Sequence, residues 1–163
     1  MPNSNARYSA LDIARYVVNY YYEQDKRINN LQLNAILYYL QGHSLNFLRY
    51  PLFKDDIIKC KFNTIIPAVF EEFKIYGLLD IPKIENYECF VSTKYRPVIR
   101  KYYAPHFSSK EKHLILSILQ SAPLDYQILN SLLINTVPYQ TTEIQKPISL
   151  TTMQKYFQQK KGI

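Results

Sequence analysis

Leu31-Gln-Leu-Asn-Ala-Ile-Leu-Tyr-Tyr-Leu-Gln41, closed by Pro51-Leu-Phe-Lys-Asp-Asp56, decides the fold class. Leu33, Ile36, Leu37, Leu40 and Phe47 recur at i, i+3, i+4 and i+7, the spacing of one buried helical face. Asn30 is placed to cap this helix through its side-chain oxygen. Gly42 inside it costs about 1 kcal/mol relative to alanine, which close approach of a neighbour or simple tolerance would explain. Pro51 ends the segment, because the residue before a proline is pushed out of the α region.

The same signals repeat on both sides. Ser9-Ala-Leu-Asp12 has the form of a capping box and opens a helix over about residues 11–22. Residues 55–62 fit either a short helix with acids in its first turn or an extended edge. Asn63-Thr-Ile-Ile-Pro67 reads as a turn, with Pro67 at the first position of a helix that Gly77 stops. Val69, Phe70 and Phe73 form the inner side of that helix.

Residues 80–107 hold no sustained period and read as a long connection with room for a minor hairpin over 84–100. Ser108-Ser-Lys-Glu111 is a second capping box, for a helix ending near Gln120. Pro123 opens the next, with Ile128, Leu129, Leu132 and Leu133 inward, and Pro138 ends it. Ser149 caps a last helix carrying Leu150, Met153 and Phe157. The expected architecture is mainly α: a single domain of six or seven helices over residues 1–163.

Composition narrows the function. The chain has 163 residues, 47% of them hydrophobic, enough to bury one substantial core. No apolar run reaches the roughly 18 residues of a membrane span, and the first residues lack a signal-peptide stretch, so a cytoplasmic location is expected. Three glycines do not build a phosphate-cradling loop. Cys60 and Cys89 read as isolated thiols.

The net charge of +7 is uneven. Residues 1–80 carry nine Lys and Arg against eight Asp and Glu, and residues 81–163 carry eleven against five. Lys94, Arg96, Arg100, Lys101, Lys110 and Lys112 hold most of the excess. Such a cluster favours nucleic acid or an acidic protein face, or is a solvated surface.

No catalytic or metal motif emerges. His43, His106 and His113 have no partner at ligand spacing, and His43 reads as a hydrogen-bonded, half-buried side chain. The pairs Asp55-Asp56 and Glu71-Glu72 are adjacent on candidate helices, where neighbours do not face one another, so the dipole of a first turn accounts for them. Neither a cofactor nor enzymatic activity is expected. Tyrosine is frequent, at 16 residues. Three in a row at Tyr20-Tyr-Tyr22 cannot all face inward, and surface tyrosine is rich in binding energy. Tyr38-Tyr39 and Tyr102-Tyr103 pose the same question, the latter pair also being a candidate for stacking on bases.

The strings Asp12-Ile-Ala-Arg-Tyr16, Leu31 through Gly42, Pro51-Leu-Phe53, Ile66-Pro-Ala-Val-Phe70 and Phe73-Lys-Ile-Tyr-Gly77 together resemble the Panacea domain family, also called GepA-like or SocA-like phage-associated proteins. The resemblance covers residues 9–77, with 148–159 similar to the family's closing helix. Where that family carries a Trp followed by Gly-Pro-Val, this chain has Cys60 and Asn63-Thr-Ile65. A His and a Trp of the family's C-terminal loop are replaced around residues 135–139. The resemblance implies an antitoxin that neutralises a cognate toxin, encoded by a neighbouring gene, through direct stoichiometric binding. It also implies partner contacts in or beside the signature, at Tyr38, Tyr39, Gln41, Phe53, Asn63 and Phe70. Two alternatives stand beside it: binding of the operon's DNA through the basic C-terminal half, and service as an adaptor that hands a client to a protease.

Overall fold

The helix Asn30–Phe47 (α2) is the axis on which the rest is assembled. The computed structural model describes residues 6–91 and 96–160. Before α2 comes α1 (Ala10–Glu23); after it come β1 (Ile58–Lys59), β2 (Thr64–Ile65) and α3 (Pro67–Phe73), which tightens into a 3-10 turn over Lys74–Tyr76. The hairpin β3 (Asn86–Cys89) and β4 (Val98–Lys101) follows, then α4 (Ser109–Ser121), α5 (Tyr126–Ile134), α6 (Val137–Gln140) and α7 (Leu150–Gln159). The described chain is therefore mainly α, with seven α-helices and two small antiparallel two-stranded sheets.

Local chemistry explains the helix starts. The capping boxes at Ser9/Asp12 and Ser108/Glu111 both close, and Ser149 accepts from the Thr152 amide to start α7. The cap of α2 is Asn29, one residue earlier than expected: its Oδ1 accepts from the Gln32 amide at 2.9 Å, and Gln32 Oε1 accepts from the Asn29 amide at 2.7 Å. Asn30 is thereby freed to donate to the Phe70 carbonyl at 3.0 Å, tying α2 to α3. Pro67 opens α3 and Gly77 ends the following turn at φ 58°, a left-handed geometry suited to glycine.

The expectation of one buried face on α2 is too narrow. Leu33 through Leu45 are all buried, because α1, α3, α4, α5, α7 and β2 pack around the helix. Its polar residues are mostly used inward. Asn34 Oδ1 accepts from the Ile66 amide at 2.7 Å. Gln41 accepts from the Leu52 amide at 2.9 Å and donates to the Phe53 carbonyl at 2.9 Å, and Ser44 donates to the Tyr50 carbonyl. These bonds satisfy the backbone of the segment after α2, which would otherwise be buried unpaired. The Pro51-Leu-Phe53 string is thus a tied-down loop, bridged at Phe53 to Tyr8.

Gly42 is required by a neighbour. A Cβ there would lie 2.2 Å from the Phe157 ring of α7. That ring is itself wedged against Tyr38, Tyr39 and His43, with His43 4.9 Å away edge-on. His43 is fully buried and neither ring nitrogen has a hydrogen-bond partner, contrary to the expected half-buried, bonded side chain. Burial lowers its pKa from 6.5 to about 4.

Other expectations are corrected. Phe47, the last residue of α2, is 62% exposed, because burial of the helix ends two positions earlier at Leu45. Ile128 and Leu132 are 54% and 45% exposed, since α5 presses only Leu129 and Leu133 inward. Pro138 lies within α6, in the first turn where a missing N–H costs nothing. Asp55-Asp56 and Glu71-Glu72 do not occupy first turns of their own helices. Residues 55–62 take the extended alternative, Asp55 accepts from the Ala10 amide at 2.7 Å and so caps α1, and Glu71-Glu72 sit later in α3.

Candidate protein-interaction surface

The structure removes four of the six signature residues from any surface. Tyr38, Tyr39, Gln41 and Phe53 are buried, within the packing described above. The Tyr38 hydroxyl lies 2.6 Å from Thr136 Oγ1, and burial raises the Tyr38 and Tyr39 pKa values well above the ordinary 10. A side chain packed on every side makes no contact with a partner that docks on the outside. Asn63 and Phe70 are half-buried; their carbonyls accept from the Cys60 amide and from Asn30 respectively. Adjacent tyrosines divide as expected on α1: Tyr21 is buried and donates to the Leu119 carbonyl, while Tyr22 reaches solvent.

The exposed apolar side chains lie elsewhere. Ile75, Leu78, Leu79 and Ile99 are between 71% and 83% exposed. Ile75 belongs to the 3-10 turn, Leu78 and Leu79 follow Gly77 directly, and Ile99 stands on β4 opposite Glu88. Ile75 and Ile99 meet across an open depression of about 440 Å³, whose walls are Glu72, Tyr76, Tyr87 and Glu88. Contiguous exposed apolar patches mark contact surfaces, and Ile75 and Ile99 share one depression.

Three anchors hold the hairpin in place. The Arg15 guanidinium, buried on α1, lies 3.7 Å above the Tyr87 ring and donates to Glu72 Oε1 at 3.0 Å. Asn19 clamps the strand entrance, donating to the Ile84 carbonyl at 2.9 Å and accepting from the Ile84 amide at 2.8 Å. Tyr102, at the same end, donates its amide to the Glu85 carbonyl and packs its ring against the core. α1, α3 and the hairpin are thus joined through one buried arginine. Sequence reasoning passed over this arginine. The available signal was its position between Ile13, Ala14, Val17 and Val18, where a charge requires a buried partner.

The basic residues are not gathered on one face. Arg96, Arg100, Lys101, Lys110 and Lys112 are exposed, and none pairs with a carboxylate among the described residues. Lys94 lies outside those residues. Alternation sends Arg100 and Lys101 to opposite faces of β4. Lys110 and Lys112 diverge by about 200° around α4. Tyr103 is exposed beside Lys101, while the Tyr102 ring is partly buried.

The titratable groups are built into the fold. Glu111, buried, accepts from Tyr8 and Tyr50 hydroxyls, each at 3.1 Å, and from the Ser108 amide at 2.8 Å. Burial opposes its ionisation, but these hydrogen bonds outweigh it and lower its pKa. No cluster of three or more His, Cys, Asp or Glu suited to a metal occurs among the described residues. Cys60 and Cys89 are free thiols. No described helix is long and apolar enough to cross a membrane.

No family model, curated protein or solved structure matches this chain significantly.

Proposed function

We propose that this chain is a cytoplasmic protein-binding module of the antitoxin kind, which occludes a cognate toxin stoichiometrically and turns over no substrate. The observation that carries the reading is the depression in which Ile75 and Ile99 lie exposed, on a turn and hairpin that Arg15 links to α1, with Leu78 and Leu79 exposed directly after Gly77. Apolar anchors on a rigid scaffold supply binding energy at low ordering cost. The Panacea-like strings of residues 9–77 support the choice of an antitoxin over other binding modules, because they furnish the helices that carry this surface. Contact therefore shifts from the signature residues to the segments beside them.

The test is co-purification with the product of the neighbouring open reading frame, together with rescue of growth when that product is toxic. Rescue is expected from the wild-type chain and is lost in Ile75→Asp/Ile99→Asp. A toxic neighbour that the wild-type chain neither binds nor neutralises contradicts the reading. A second reading, operon binding, draws on Lys101 beside exposed Tyr103, with Arg96 and Arg100 exposed on the same hairpin. It requires retardation of the operon's promoter that weakens steeply between about 50 and 200 mM salt.

A further inference from the structure

We propose that the outer face of α4, together with the end of α2, is a second docking site that takes a short acidic peptide segment with apolar anchors. Two open depressions, of about 560 and 450 Å³, share His113 and Ser117 and so form one furrow along α4. It runs from Phe47 and Leu48, past Lys110 and Leu114, to Ser121. α4 spans 13 residues, about 18 Å, room for three turns of a bound helix or about six extended residues. The furrow shares no lining residue with the depression between Ile75 and Ile99.

Phe47 is the natural anchor. Its ring stacks on buried His43 at 6.0 Å with an interplanar angle of 13°, which fixes its orientation while most of the side chain faces solvent. A pre-oriented aromatic loses little entropy when a partner covers it. Phe47, Leu48 and Leu114 give the furrow its apolar character, and Ser109 and Ser117 supply hydroxyls at its edge.

Charge selects the occupant. Of the basic side chains of α4, Lys110 lines the furrow beside His113, while Lys112 lies about 200° from Lys110 around the helix. Glu111, its only carboxylate, is turned inward and engaged by Tyr8, Tyr50 and Ser108. No carboxylate lines the furrow, and the residues outside the described ones carry no acidic side chain. The furrow thus sets the Lys110 ammonium, which pairs with no carboxylate among the described residues, beside an apolar floor. An acidic amphipathic segment complements both features.

The test is selection of peptides of about twelve residues from a random library on the full chain, followed by anisotropy titration of the winners. Winners are expected to be rich in Asp and Glu around Leu or Phe. Phe47→Ser is expected to weaken them about tenfold and Lys110→Glu about fivefold, with the melting temperature unchanged and Ile75→Asp without effect. The proposal is overturned if no peptide is selected, if winners are neutral or basic, or if Phe47→Ser binds them as wild type does. Preference of the same face for a single-stranded oligonucleotide over the acidic peptides also overturns it.

Discussion

α2 and the β3–β4 hairpin are built on opposite plans. α2 is covered on all sides and directs its amides and hydroxyls into neighbouring loops. The hairpin touches the core chiefly through Tyr87 and the residues at its base, and leaves Ile99, Arg100 and Lys101 in solvent. The difference separates two meanings of a conspicuous sequence. The Leu31–Gly42 string is conspicuous because it must satisfy six packing neighbours at once. The hairpin has no comparable pattern because little of it is packed, and that freedom is what a binding surface needs.

Changes in α2 and its partner helix should therefore be costly to the fold. Phe157→Ala empties the space beside Gly42 and is expected to cost about 3–5 kcal/mol in urea unfolding. Gly42→Ala forces a methyl into the same ring and should cost about 3 kcal/mol, the upper end for overpacking. Combining it with Phe157→Leu should recover part of that loss; strict additivity of the two would contradict the assigned contact.

His43 gives the comparison a pH dependence. Its pKa is about 4 in the fold against an ordinary 6.5, so between these values the unfolded chain binds more protons. Stability from this group is complete above pH 6.5 and declines as pH falls towards 4. About 2 kcal/mol should be lost between pH 7 and pH 5, and His43→Leu should remove that slope. Glu111 acts lower on the scale. Its pKa is depressed from 4.5, so its stabilisation persists above that value and fades as the carboxylate protonates below it. The smallest effect belongs to the hairpin and its neighbour. Ile99→Thr and Leu78→Ser should each change stability by under about 0.5 kcal/mol, because both side chains already face solvent. A larger loss would mean that the surface is packed after all.

What could be read from sequence was local. Ser9, Ser108, Ser149 and Pro67 act within three residues of themselves, so their helices began where the chemistry placed them. Asn30 was expected to cap α2, but the reach of Gln32 to Asn29 and the distant Phe70 carbonyl move the cap one residue earlier. Periodicity located the apolar stripes but not their width, which is why Phe47, Ile128 and Leu132 fell on the wrong side. Tyr38, Tyr39, Gln41 and Phe53 were misplaced as contacts for a related reason. Residue type does not report burial: Gln41, polar by type, is turned inward to the loop after α2, and Tyr38 is enclosed with it. The depression between Ile75 and Ile99 depends on contacts between α1, α3 and the hairpin that no local pattern encodes.

The central claim is that the interior of α2 shapes the molecule while the hairpin and adjoining turn bind the partner. The most direct measurement is isothermal titration of the neighbouring gene's product against two folded variants, Ile75→Asp/Ile99→Asp and Tyr38→Phe. The expected result is loss of binding in the first and wild-type affinity in the second. Retained affinity in the first, with loss in a still-folded Tyr38→Phe, would contradict the account.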